Sequence, residues 1–453
     1  MCRWSCGRPQ DEATRLNREL ARRSSRLSWA PSGWLLKHPV ADISPGTQML
    51  TLGCPAAFCA VRLGFANISS TPFVIKRAIA APSTTFSDYC NPTGDTKWTS
   101  LTFVNEGADS DRIVTTIDAP TEIVVRGNAP DQATGETSAP RWTWTDWVPL
   151  SSLPRADAAN GVSVLMIRTL LEGNQTLTMP NGTFAAFMGQ PELNKGFDYC
   201  AGWYPHDAVT TTTDINTHLA HLQVNGTAVA CVQFLTHAPG FTGLIAGDSH
   251  QQGTSTTTQF ANLLFRSILS IGAENIGSTP FGYWSTAFGG ATTNQIFLAC
   301  NRVIKQVKPA FAVLPGWTFN DYSDAGSSDA FAGNSFLSHL IQSASLCRDA
   351  GTVPIFLTPF PRDKWNMTGP RVKHWLSLRR TILEMEATGA VVIDATKILG
   401  MVTNGQFDGT YLPEYSDDGM HPNDAGHLAL SELLIPVVRR ICGLAGASSQ
   451  THP

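Results

Sequence analysis

From about residue 240 onward, short apolar runs alternate with longer stretches of helical period, and this alternation constrains the fold more than any other feature. The apolar runs are Gly243–Ala246, Ala310–Leu314, Val353–Thr358 and Ala390–Asp394. Each is too short for a helix and none alternates apolar with polar, the pattern of a strand buried on both faces. Between and after them lie helical stretches at Thr257–Ser270, Thr293–Val307, Ser335–Arg348, Arg371–Ala387 and about Asp424–Ile441. Strand-helix alternation of this kind implies a parallel sheet, because parallel neighbours need a crossover that a hairpin turn cannot supply. The expectation is an α/β domain with a covered parallel sheet over about 240–445. In such sheets ligands bind beyond the carboxyl ends of the strands.

The preceding texture is different. Residues 46–235 are rich in Thr, Val, Gly and Pro, with short runs such as "EIVVRG", "WTWTDWVPL", "VSVLMIRTLL", "STPFVIKRAIAAPS" and "WTSLTFVN". These read as strands separated by turns, and predict an antiparallel sandwich or jelly-roll-like domain. Residues 1–45 read as a poorly ordered extension. At 453 residues, with 42 % apolar and 15 % charged, the chain can bury a sizeable core in two or three domains. A net charge of -4 offers no basic surplus for nucleic acid. No apolar run approaches the ~18–20 residues of a membrane span. The N-terminal stretch lacks the apolar core of a secretory signal, and the Arg22-Arg23 pair precedes only a short, Pro-broken apolar stretch. The compartment is left open, with action outside the cell or at its surface compatible with the sequence.

The ten cysteines show no paired spacing for zinc. Cys54 and Cys59 are close enough in sequence to bridge, whereas Cys231, Cys300, Cys347 and Cys442 lie in apolar surroundings and read as core thiols.

The chemistry is concentrated at two places. "LIAGDSHQQG" (Leu244–Gly253) presents Ser249 directly after the first strand of the parallel sheet, where a nucleophile would be exposed. Near the end, "YSDDGMHPNDAGHLALSELL" places Asp418 three residues before His421. That spacing lets a carboxylate orient an imidazole whose other nitrogen takes a proton from Ser249. Asp417, four residues from His421, is the competing carboxylate, and Asn423 or Asp424 caps the last helix. A tetrahedral intermediate needs donors for its oxyanion. The candidates are the Ser249 N–H, the Gly289-Gly290 turn in "FGGATT", and the Asn320 amide in "LPGWTFND". Asp248 is expected to hold the nucleophile loop by hydrogen bonds, and His427 to pack its helix.

Four blocks in order give the chain a resemblance to the SGNH (GDSL-type) hydrolase superfamily: Gly247-Asp248-Ser249, Gly290 in Gly-Ala-Thr-Thr, Asn320-Asp321, and Asp418-Gly-Met-His421-Pro-Asn. The resemblance covers roughly 240–445. It implies a flavodoxin-like three-layer fold and metal-free, cofactor-free ester hydrolysis. The implied catalytic residues are Ser249, Asp418 and His421, and the implied oxyanion hole is Ser249, Gly290 and Asn320. Two positions depart from the family pattern. Thr318 stands where the third block usually carries glycine, and His250 follows the nucleophile where an aliphatic residue is usual.

The implied substrates are a small ester or an acetylated glycan. The alternatives are a lipase or thioesterase of the same superfamily, and a non-catalytic surface or virion protein with an inert hydrolase domain. A binuclear metallophosphoesterase would need further ligand blocks that are absent, and an α/β-hydrolase elbow would need glycine where Gln251 stands. Trp142 and Trp144 share a strand face, which suits core packing or, if exposed, a sugar-stacking platform.

Overall fold

The computed structural model describes residues 25–29, 39–43, 46–53, 58–65, 72–83, 98–104, 121–125, 143–149, 164–172, 177–180, 199–204, 229–236, 240–256, 281–287, 289–321, 333–363 and 370–444. The chain divides into two compact units. The first holds most of the residues up to Gly240, and the second runs mainly from Phe241 onward.

The first unit is built from antiparallel strands. In chain order they are β1 (Ser25–Trp29), β2 (Pro39–Ile43), β3 (Gly46–Gly53), β4 (Phe58–Phe65), β5 (Phe73–Ser83), β6 (Thr99–Ser100), β7 (Ile123–Val125), β8 (Thr143–Trp144), β9 (Val148–Pro149), β10 (Val164–Glu172), β11 (Leu177–Pro180), β12 (Tyr199–Tyr204) and β13 (Val229–Thr236). One sheet has the order β1-β13-β4-β8, with β9 also on β4, and another has β12-β3-β10-β5-β6, with β7 on β5. The stretch expected to be an unstructured extension, 1–45, contains β1 and β2. These pair with β13 and β11, with Leu27 opposite Phe234 and Ala41 opposite Met179. Five-residue runs such as "SRLSW" carry too little pattern of their own to be read as strands, and the partner strand supplies the reason they form.

Strand β10 lies between β3 and β5 and is buried over Leu165–Thr169, including Arg168. The Arg168 guanidinium lies 4.5 Å from the centroid of the Trp98 ring. In the other sheet Arg62 donates from Nε to Gln233 Oε1 at 2.8 Å and covers the rings of Trp144 and Trp147. Trp144 is therefore a buried packing residue under a cation. Trp142 lies outside the described residues, as do the side chains of Cys54 and Cys59. Cys300 and Cys347 are buried free thiols, Cys231 is buried, and Cys442 is half-buried.

In the second unit β14 (Phe241–Ile245), β15 (Phe281–Ser285), β16 (Phe311–Pro315), β17 (Val353–Leu357) and β18 (Val391–Ile393) form a parallel sheet in the order β15-β14-β16-β17-β18. In order of appearance that is 2-1-3-4-5, the doubly wound order of flavodoxin-like sheets. Every residue of β14 is buried, with Leu244 in register between Trp284 and Ala312. Strand β15 is missing from the sequence-predicted set. Its "FGYWS" has one glycine and no aliphatic run, so the pairing with β14 selects it. The helical stretch expected at 257–270 lies outside the described residues.

The helices are α1 (Ser249–Gln252), α2 (Thr293–Val307), α3 (Gly333–Asp349), α4 (Pro370–Glu384), α5 (Ala395–Leu399) and α6 (Asp424–Ile441). Helix α2 starts on a capping box: Thr292 accepts from the Gln295 N–H, and the Gln295 side chain accepts from the Thr292 N–H. Helix α6 is capped by Asn423, whose side chain accepts from the Gly426 N–H at 3.1 Å. A hairpin of β19 (Gly400–Thr403) and β20 (Gln406–Tyr411) precedes the loop that carries Asp418 and His421.

Candidate active site

The chain leaves β14 at Ile245 and turns within three residues into the single-turn helix α1. The sequence makes this turn in a specific way. Asp248 is the N-cap, and its Oδ1 accepts from the His250 N–H at 2.9 Å. Gln251 completes the box by accepting from the Asp248 N–H at 3.0 Å. Gln251 is itself buried and folds back over Gly247. A Cβ on Gly247 would lie 2.3 Å from its Oε1, so only glycine fits there. Gly253, in the left-handed region at φ 88, closes the turn. Ser249 is the first residue of α1, so its N–H has no intrahelical acceptor.

Ser249 Oγ lies 3.0 Å from His421 Nε2, across 172 positions of sequence. His421 Nδ1 lies 2.8 Å from Asp418 Oδ2. With a carboxylate on Nδ1, that nitrogen carries the proton and donates, leaving Nε2 to accept the Ser249 hydroxyl. Asp418 is fixed in turn. Its Oδ1 accepts the backbone N–H groups of Met420 and His421 at 2.7 and 2.8 Å, and its Oδ2 also accepts the Ser255 hydroxyl at 3.2 Å. Asp417 faces elsewhere, accepting from Asn423 Nδ2 at 2.9 Å.

The electrostatics follow from these contacts. Partial burial works to raise the Asp418 carboxyl, but the bonds from the His421 ring and from the two N–H groups outweigh it. They hold the carboxyl well below the ordinary carboxylate range. His421 is shifted down from the ordinary imidazole value. Burial is the largest cause, followed by the charge of His250, and Asp418 and Asp248 oppose both.

Gly290 sits in the turn before α2 at φ 79, a conformation that favours glycine, and the space where a side chain would stand is open. The same turn reaches Ser249, since a Cβ on the adjacent Gly289 would lie 3.9 Å from Ser249 Cβ.

Asn320 lies in a 3-10 turn, Phe319–Asp321, that follows β16. Its Nδ2 has three protein acceptors in range: Ala291 O at 3.0 Å, Thr318 Oγ1 at 3.1 Å and Asp248 Oδ2 at 3.3 Å. Two hydrogens serve three acceptors, so one is shared between the two longer contacts. Thr318, the departure from the family's glycine, is buried and donates its hydroxyl to Asp248. Gly316 serves packing instead. A Cβ there would lie 2.3 Å from Ile382 Cδ1, so its absence lets α4 pack against this loop. Asp321 ties the loop to the start of α2, accepting from the Thr293 N–H at 3.0 Å and from the Thr293 hydroxyl. Burial raises its carboxyl against the pull of those two bonds.

The loops after β14 and β16 flank the point where the strand order reverses, which is where a doubly wound sheet opens a crevice. Ser249, Asp418 and His421 are thus brought into one hydrogen-bonded chain. Thr318 and Ser255 are contributions that the sequence does not reveal. A lone Thr or Ser in a loop carries no signal of its partner until the loops meet.

No protein-family model and no curated protein matches the sequence. Among solved structures, the chain is similar to a GDSL-like lipase from Bacteroides thetaiotaomicron at 16 % identity and TM-score 0.34, over 44 % of this chain and 88 % of that one. It is likewise similar to an acetylxylan esterase from Geobacillus stearothermophilus at 16 % identity and TM-score 0.35, over 47 % of this chain and 99 % of that one. Three of the four sequence blocks stand on the loops after β14, β15 and β16, and the fourth stands between β20 and α6. The resemblance to the SGNH hydrolases rests on those four blocks. The chemistry has to be read from the site itself.

Proposed function

We propose that this chain is a serine esterase of the SGNH type. The observation that supports it most is the unbroken chain Asp418–His421–Ser249, with contacts of 2.8 and 3.0 Å. In this reading Ser249 Oγ attacks the acyl carbonyl carbon while His421 Nε2 takes its proton. The alkoxide of the tetrahedral intermediate collapses, and the leaving alcohol departs with that proton. Water then attacks the acyl-enzyme, activated by the same imidazole, and the acid is released with Ser249 reprotonated. Asp418 holds the ring and stabilises its cation. The N–H groups of Ser249 and Gly290 receive the oxyanion, joined by the Asn320 amide when one of its hydrogens turns from its protein acceptors to the substrate.

The two larger antiparallel sheets of the first unit are read as a sandwich, and the second unit as three-layered. A β-rich companion unit favours an acetylated carbohydrate as the substrate class. An acyl-length series tests this: acetyl esters turn over fastest, whereas a preference for chains of eight carbons or more overturns it in favour of a lipase. The esterase reading is tested by fluorophosphonate labelling and p-nitrophenyl acetate turnover. Labelling should fall on Ser249, and Ser249→Ala should abolish both signals. An intact chain that neither labels nor turns over ester is a binding protein with an inert site.

A further inference from the structure

The site contains a second imidazole that the proposed chemistry does not use. His250 directly follows the nucleophile, and its side chain is 4 % exposed. Its Nδ1 lies 2.7 Å from Asp248 Oδ1, and its Nε2 lies 2.9 Å from the Met420 carbonyl oxygen. Neither partner has a proton to give. Asp248 also accepts from the His250 N–H, the Thr318 hydroxyl and the Asn320 amide, the surroundings of an ionised carboxylate. An imidazole that faces acceptors on both nitrogens makes both bonds only as the imidazolium. Met420 is the residue before His421, so this ring spans from the nucleophile turn to the loop of the base, 170 positions away. The two rings are 5.3 Å apart between centroids.

We infer that His250 is a positioning residue, a buried imidazolium that ties the Ser249 turn to the His421 loop and sets the pH at which His421 becomes free to accept a proton. The inference rests on the proposed roles of Ser249 and His421. Its physical basis is simple. A cation beside His421 disfavours a second cation on His421, so the base stays neutral to lower pH. The tie to Met420 fixes the approach of the loop at the same time. Among the described residues, the other ionisable groups facing this pair are few. Asp418 bonds His421 Nδ1, and Asp321 lies close enough to Asp248 for that charge to raise the Asp321 carboxyl. Tyr411 donates its hydroxyl to the same Met420 oxygen at 3.3 Å, and burial pushes that hydroxyl far up, so it stays neutral. Arg362 and Asp363 act on Tyr411 through their charges.

The test is the pH dependence of the rate at which a fluorophosphonate labels Ser249 in the full chain. It is measured for the unsubstituted protein, His250→Gln and His250→Leu, with folding followed by circular dichroism. Both substitutions remove the cation, so the midpoint of the rising limb should move up by about 0.5–2 pH units. His250→Gln keeps an amide that can reach one of the two acceptors and should retain most of the plateau rate. His250→Leu keeps neither bond, and its plateau should fall tenfold or more. A residue that only packs would change the plateau or the melting temperature and leave the midpoint in place. Midpoints within about 0.2 unit of the unsubstituted protein in the folded variants overturn the inference. If His250→Leu does not fold, His250→Gln carries the comparison alone. If the unsubstituted chain itself does not label at Ser249, the serine esterase reading fails first, and the inference falls with it.

Discussion

At the scale of single residues, the site is a set of hydrogen bonds whose donors and acceptors can be assigned one by one. His421 is the informative case. Its ordinary value, about 6.5, is lowered by burial and by His250 more than Asp418 and Asp248 raise it. A lowered value means the neutral, proton-accepting form persists into more acidic solution. Ester turnover should therefore rise with pH through a midpoint below that ordinary value and be flat across neutrality, as a kcat/KM profile would show. A midpoint above it would mean that Asp418 outweighs burial. Asn320 offers a second test. Asn320→Ala should cost on the order of 10²–10³ in kcat if one of its hydrogens serves the oxyanion. A loss of less than about threefold would assign the amide to loop structure alone, holding Ala291 and Thr318.

At the scale of elements, what the sequence made legible depended on how local the cause was. Helices α2 and α6 begin where the sequence predicts, since Thr292 and Asn423 bond to backbone groups within their own first turn. Strand β15 was not legible, because its pairing with β14 selects it rather than an apolar run of its own, whereas the β19–β20 hairpin carries a local turn signal in Asn404-Gly405 that its weak strand pattern hid. Strand β1 is hidden inside the expected extension for the same reason as β15. Strand β14 is the element that leads into the Ser249 turn, and its core contact is testable. Leu244 is fully buried, with Trp284 and Ala312 beside it in register. Leu244→Ala should lower stability by about 2–5 kcal/mol in denaturant titration, from lost burial plus the cavity left behind. A change under about 0.5 kcal/mol would mean the strand is not held by this packing.

At the scale of the whole molecule, the chain forms two compact units. Each unit has its own buried apolar residues, centred on residues such as Phe65, Ile167 and Phe234 in the first and Trp284, Phe311 and Phe356 in the second. A chain of two compact units need not unfold in one all-or-none step. A calorimetric scan should therefore give a measured enthalpy larger than the van't Hoff enthalpy. Equal values would mean the two units unfold as one.

The residues alone determined the class of the second unit and singled out Ser249, Asp418 and His421 as the groups proposed to react. A continuous apolar run can only be buried, and a Ser, an Asp and a His at strand ends and helix starts are few enough to pick out. They also fixed the start of the two well-capped helices, whose causes lie within one turn. Only the tertiary structure decided which strand lies beside which, that Asp418 rather than Asp417 takes the imidazole, and that His250 faces two acceptors. The reason is range. A cap or a buried run is written in adjacent residues, whereas a hydrogen bond across 172 positions exists only after the strand order 2-1-3-4-5 has brought its two loops to one edge of the sheet.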